Sequence, residues 1–273
     1  SDMSEIKIVS IDIDGTLLND DRQITPDVKS AIQAAMAQGV KIVITTGRPL
    51  PGVQDILDQL EIAGSEQFVI THNGGLMQTA DGSRILFQAA LRLSEYQQIN
   101  DFMREQTTYI QAESQNAAYT TNHLVHRWAS FENALVKLPL HVVDDVKDLA
   151  EVEIIKGIAN DEAEALDRVQ ALIPTAITEA VSVIRSTANN LEFINQKASK
   201  GNALAALAQS LNIDIKDTMA IGDQENDFSM IEVAGLGVAM GNAIKKIKDV
   251  ADVETVSNNE SGVARALEKY VLK

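Results

Sequence analysis

The chain has 273 residues, with 23 Lys and Arg against 39 Asp and Glu, for a formal net charge of −16. So acidic a surface repels phosphate backbones and anionic lipid, which argues against nucleic-acid and membrane partners. There is no cysteine, which excludes disulfides, thiolate nucleophiles, cysteine-ligated zinc and iron–sulfur clusters.

Residues 6–11 form a short β-branched run that ends at Asp12. Thr25-Pro26 then opens a helix, with Thr as N-cap and Pro at the first helical position. Val28, Ala31, Ile32, Ala35 and Met36 recur at helical spacing, Gly39 closes the helix, and Lys41–Thr45 follows as a second buried strand. This β-α-β unit predicts a parallel sheet with a right-handed crossover.

The middle, 84–192, reads as a mixed α+β block. Ser94 with Gln97, and Asp161 with Glu164, have capping-box spacing and predict two helices. Strand-like stretches lie near 107–112, 116–121, 152–158 and 181–186. The last third alternates again: a helix carrying Leu204, Leu207, Ala208 and Leu211, a strand at 218–221, a helix over 225–233, and a strand at 236–240. A helix from about 242, a strand near 252–256 and a helix from 262 complete it. Residues 1–83 and 193–273 therefore read as halves of one doubly wound α/β sheet, with 84–192 inserted between them. Asn73-Gly74-Gly75 and Asn189-Asn190 are the expected hinges. No apolar run approaches 18 residues and nothing reads as a signal peptide, so a cytoplasmic location is expected.

The first strand ends in Asp12-Ile13-Asp14-Gly15-Thr16. Strand alternation would point both carboxylates to one side, into the crevice where ligands bind at the C-terminal edge of a parallel sheet. Two adjacent acids repel, so the pair suits Mg²⁺, or one nucleophile beside one proton carrier; Asp-Gly is also a common turn pair. Thr45-Thr46-Gly47 ends the second strand and offers two candidate hydroxyls and a backbone N–H. Lys200 opens a helix, where it opposes the dipole unless an anion binds there. Gly222-Asp223-Gln224-Glu225-Asn226-Asp227 gathers carboxylate and amide oxygens after a buried strand, more densely than helix capping requires.

In this order, these features resemble the motifs of the haloacid dehalogenase superfamily of phosphohydrolases. Asp12–Thr16 is similar to its first motif, Thr46 to its second, Lys200 to its third, and Gly222–Asp227 to its fourth. Thr46-Gly47-Arg48-Pro49, Asn73-Gly74 and Gly237-Val238-Ala239-Met240-Gly241-Asn242 resemble its Cof-type branch, nearest to sugar phosphatases with a type IIB-like cap. The resemblance implies a Mg²⁺-dependent phosphatase for a small phosphorylated metabolite. In it, Asp12 is the nucleophile that becomes an aspartyl-phosphate, and Asp14 is the general acid and base. Ile13, Thr46, Gly47, Lys200 and Asn226 would hold the phosphate. Asp12, Asp14 (through its carbonyl) and Asp223 would hold the metal, while Asp227 would orient Lys200 or a metal-bound water. A phosphomutase with the same intermediate, or a non-catalytic phosphate sensor on the same fold, are the alternatives. The inserted block would be the specificity cap.

Overall fold

A computed structural model describes residues 5–273. The β-branched and apolar runs form fourteen strands. The first five are β1 (Ile8–Ile11), β2 (Lys41–Thr45), β3 (Phe68–Thr71), β4 (Leu76–Thr79) and β5 (Ile85–Gln88). Six follow in the middle of the chain: β6 (Tyr109–Glu113), β7 (Ala118–Thr120), β8 (Leu140–Val142), β9 (Lys156–Asn160), β10 (Ser182–Thr187) and β11 (Asn190–Ile194). The last three are β12 (Thr218–Gly222), β13 (Leu236–Ala239) and β14 (Val253–Glu254).

Eight of them make one sheet in the order β14-β13-β12-β1-β2-β3-β4-β5. The pairings from β14 through to β3 are parallel, and β3 with β4 is antiparallel. The N-terminal strand β1 lies between β2 and β12, so the two ends of the chain meet on it. In register, Ile11 stands opposite both Ile44 and Ile221. The residues that follow these three strands are thereby brought to one sheet edge, which is where an open α/β sheet binds ligands. β1, β3 and β12 are buried throughout. Leu204 and Leu207 of the helix Lys200–Ser210 pack with Ile8, Val43, Ile70 and Ala220 in the core.

The other six strands form a second sheet, in the order β10-β11-β9-β6-β7-β8. Strand alternation gives it two faces. Ile110, Ala112, Ala159, Leu191 and Phe193 pack against Tyr96, Ile99 and Met103 of the helix Leu93–Glu105 and Leu166 and Val169 of Ala163–Ala171. The alternate residues Gln111, Glu113, Lys156 and Glu192 are buried and polar. Lys156 bridges Glu192 at 2.6 Å and Glu113 at 3.8 Å, and burial raises the Glu113 carboxyl against that pull.

The chain divides into two compact units. One comprises the described residues up to Gly47, Gln54–Phe87 and Ser199–Lys273; the other comprises Arg48–Val53 and Gln88–Ala198. The divisions thus fall later than 83/84 and 192/193. β5 joins the first sheet, and β11 is an inner strand of the second. The two expected hinges are also displaced. Asn189 lies in the hairpin turn between β10 and β11 and Asn190 is the first residue of β11, and Asn73-Gly74-Gly75 lies inside the first unit. No helix among the described residues is long and apolar enough to cross a membrane.

Candidate active site

The Asp12 amide donates to the Ile221 carbonyl at 3.2 Å, continuing the ladder one residue past β1. The chain then leaves the sheet in a wide turn, closed by Leu17 N to Asp12 O at 3.1 Å and Leu18 N to Ile13 O at 3.0 Å. Turns of this i to i+5 kind recur at functional sites. Because the turn begins at Ile13, strand alternation does not carry to Asp14. Asp12 is buried, but Asp14 is exposed, and its carboxylate lies outside the acidic group that Asp12 joins. Ile13 is buried in the first position of the turn. Gly15 has φ +75°, and a Cβ there would lie 2.1 Å from Asp223 Oδ2, so only glycine fits.

Asp12, Asp223 and Asp227 each offer an oxygen within 4.8 Å of the others. Lys200 enters this group from the first turn of its helix, with its side chain wholly buried. Its Nζ donates to Asp12 Oδ1 at 2.8 Å and to Asp227 Oδ1 at 2.7 Å. Asp227 Oδ2 accepts the amides of Asp223 at 2.9 Å and Gln224 at 3.1 Å. Both Asp227 oxygens are thus engaged, which suits orienting Lys200 better than ligating a metal. Asp223 Oδ1 accepts from the Thr16 hydroxyl at 3.0 Å.

Ionised, three carboxylates against one ammonium leave the cluster two charges negative. Burial pushes the Asp12 carboxyl well above the usual aspartate range; the Asp227 charge adds to this, and Lys200 only partly offsets it. Burial also raises Asp223, against hydrogen bonds with Asp12 and Thr16. Burial penalises the Lys200 ammonium too, but Asp12 and Asp227 outweigh that and hold its pKa above the ordinary lysine range.

Of the two candidate hydroxyls after β2, Thr45 Oγ1 lies 2.5 Å from Ser10 Oγ within the core, and Thr46 continues to the sheet edge beside Gly47. Thr46 N donates to Ile70 O, and its carbonyl accepts Asn73 N, both at 2.9 Å. Asn73 is a site residue whose importance the sequence conveyed only through its motif wording. Its Oδ1 accepts from Asn226 Nδ2 at 3.1 Å, and its amide group comes within 3.0 Å of where a Cβ on Gly47 would stand. His72, Asn73 and Gly74 are successive left-handed residues, at φ 52°, 55° and 93°. A Cβ on Gly74 would lie 2.0 Å from the carbonyl of Ser199, the N-cap of the Lys200 helix. The turn therefore ties together three segments of the site: Thr46-Gly47, Asn226 and Lys200. Asn73→Ala removes the amide contact to Asn226 and is expected to lower kcat/KM about tenfold, the worth of one hydrogen bond to a positioned group. Steady-state kinetics with p-nitrophenyl phosphate measure it; an unchanged kcat/KM would remove Asn73 from the site.

A second pair of asparagines holds the acidic turn. Asn242 Nδ2 donates to the Gly15 carbonyl at 2.9 Å, Asn258 N donates to Asn242 Oδ1 at 3.0 Å, and Asn258 Nδ2 donates to the Leu18 carbonyl at 3.0 Å. No sequence signal singled out Asn258, because it is near Leu18 only in three dimensions.

The doubly wound sheet thus carries a buried Asp–Lys–Asp cluster at its ligand-binding edge. Residues 9–267 match the haloacid dehalogenase-like hydrolases, and the chain belongs to that family. It is 40% identical over 267 residues to a Streptococcus pyogenes serotype M6 protein provisionally named a phosphatase, covering 98% of this chain and 99% of that one. It is 31% identical over 272 residues to the 5-amino-6-(5-phospho-D-ribitylamino)uracil phosphatase YcsE of Bacillus subtilis, covering 98% and 97%. Among solved structures, a haloacid dehalogenase-like hydrolase from Bacteroides thetaiotaomicron superposes with a TM-score of 0.86 at 27% identity, covering 97% and 99%. The protein is a phosphatase, a phosphoric monoester hydrolase.

Proposed function

We propose that this phosphatase hydrolyses a small phosphorylated metabolite, a sugar phosphate or closely related polyol phosphate, through a covalent phosphate ester of Asp12. The observation that carries the reading is the buried Asp12 carboxylate held by Lys200. Burying a charged cluster this dense brings little stability, and it is the arrangement a positioned nucleophile needs. The relative named for a phosphoribityl substrate supports a phosphate ester on a polyol.

An oxygen of Asp12 attacks phosphorus, and the Asp12 O–P bond forms as the ester P–O bond breaks. Asp14, exposed on the turn, acts as general acid and gives a proton to the departing alcohol oxygen. It then takes a proton from the water that attacks the phosphorus of phospho-Asp12. That step releases inorganic phosphate and restores the Asp12 carboxylate. Lys200, the Thr46 hydroxyl, the Gly47 and Ile13 amides and Asn226 offset charge on the transferring group, where alignment and neutralisation dominate the barrier. The inserted unit, Gln88–Ala198, carries the selection of the alcohol.

The donor set fits a hard divalent cation, since it is all oxygen and two charges negative. Asp12, Asp223 and the Asp14 carbonyl would hold Mg²⁺, with Asp227 setting Lys200 beside it. When bound, the ion neutralises charge on the phosphate oxygens. Released phosphate, measured across phosphorylated sugars, polyols, nucleotides and glycolytic acids with Mg²⁺, tests the reading. Hydrolysis of none of them, or a full rate in excess EDTA, would overturn it.

The raised carboxyl pKa values add a stability test. A group whose folded pKa is raised stabilises the fold below its unfolded pKa, and that contribution is lost as pH rises through the folded value. Without metal, Asp12 and Asp223 therefore weaken the fold progressively above the usual aspartate range. Added Mg²⁺ is expected to raise the melting temperature more near neutral pH than in mildly acidic buffer. Equal shifts at both would separate the cation from these carboxylates.

A further inference from the structure

The second unit contains a cavity of about 480 Å³ that none of the catalytic groups lines. Its size suits a small-molecule ligand. Within the second sheet it sits at one end, by Tyr109, which pairs with Asn160. The chain enters and leaves the unit at the other end, where Leu91 bridges Ile154 and Ile194 pairs with Lys156.

The lining has a distinct chemistry. Arg104 stands in the last turn of the helix Leu93–Glu105 and makes no ion pair among the described residues. The helix dipole favours a cation there, but it does not account for what faces the same cavity. The one carboxylate in the lining, Asp161, is already engaged: His126 Nδ1 accepts the Trp128 amide at 3.1 Å. That leaves the ring proton on Nε2, which lies 3.3 Å from Asp161 Oδ1. The lining thus offers one cation that makes no ion pair among the described residues, Arg104, while its one carboxylate, Asp161, accepts from the His126 ring. Thr108 and Thr121 add hydroxyls, both buried. Asn122 Oδ1 accepts the Ile110 amide at 3.3 Å, so its NH₂ group is left to donate.

The wall also carries strain. Thr107 follows the helix at φ +56°, the left-handed position where glycine or asparagine normally ends a helix. A β-branched residue is a genuine outlier there, and such outliers concentrate where a ligand is held.

We propose that this cavity is a second ligand site, separate from the catalytic cluster, for a small anion bearing hydroxyl groups: a phosphorylated or carboxylated polyol gripped by Arg104. A guanidinium binds either anion through two parallel hydrogen bonds, and the threonine and asparagine groups suit the hydroxyls.

The chain's single tryptophan provides the readout. Trp128 is bonded to His126, and its indole N–H donates to Glu162 Oε2 at 3.3 Å, beside Asp161 in sequence. The full-length protein is titrated in EDTA with inorganic phosphate and, separately, with gluconate, while tryptophan emission is followed. A saturable change with at least one anion is expected in the wild type, and the two arms separate a phosphate ligand from a carboxylate one. In Arg104→Met the midpoint should rise at least about tenfold, the loss of a charge-assisted hydrogen bond. Its p-nitrophenyl phosphate hydrolysis with Mg²⁺ should stay at the wild-type rate, which also verifies the fold. If neither anion moves the emission, or Arg104→Met titrates as the wild type does, there is no such site. Failure of the phosphatase reading would appear instead as absent hydrolysis in both proteins.

Discussion

Asp12→Asn is expected to fold, to melt without metal at or above the wild-type temperature, and to lose at least roughly 10³-fold in kcat. Asparagine nearly matches aspartate in shape, but its neutral amide is no nucleophile. The stability direction follows from the cluster. Burial and the Asp227 carboxylate disfavour the Asp12 charge, and Lys200 keeps its second partner in Asp227 when that charge is removed. Turnover and stability should therefore move in opposite directions, a pattern general damage to the fold does not give. Circular dichroism, a thermal melt in EDTA and p-nitrophenyl phosphate kinetics together decide it. Substantial residual hydrolysis would take the nucleophile's role from Asp12.

Lys200→Met is expected to do the reverse to stability. Methionine is close in length and apolar, so packing against the core is largely kept. The charge is not kept, and the variant leaves Asp12 and Asp227 buried without their shared cation. Removing one partner from a buried ion pair costs about 3–5 kcal/mol. A fall of many degrees in the metal-free melting temperature should result, together with loss of activity. Mg²⁺ should recover part of the melting temperature, because it offsets the same carboxylates, but not the rate. A variant that melts as the wild type does in EDTA would mean that the cluster is not charged as described.

Much of the first unit was legible because its strands are short apolar runs that stop at a polar residue. The run before Asp12, the run before Thr46 and the run before Asp223 end as β1, β2 and β12 do, and helical spacing placed Lys200 at a helix start. Period-two alternation does not decide which way Asp14 points, because the chain leaves the strand in a wide turn at Ile13. β5 was assigned to the insert because Ile85–Gln88 is an edge strand with exposed residues, and such a strand carries little hydrophobic pattern. In the insert, the helix Arg127–Leu135 and strand β8 were not anticipated. The helix leaves Phe131 and Leu135 exposed, and β8 is three residues long. The helix Leu93–Glu105 starts earlier than expected: Glu95, not Gln97, closes the box by accepting the Arg92 amide at 2.8 Å. Contacts such as Asn73 with Asn226 and Asn258 with Leu18 join residues far apart in the chain, and no local pattern encodes them.

The place of β1 between β2 and β12 has a consequence for how the molecule is made. Lys200 lies 188 residues from Asp12 in sequence, so the catalytic cluster exists only after synthesis has passed Asp227. Until β12 arrives, one edge of the apolar strand β1 has no partner, a state prone to association with other chains. Contacts of such long sequence separation form late and slowly. On dilution from denaturant, helical signal should return first and phosphatase activity last, and the gap between them should widen as protein concentration rises.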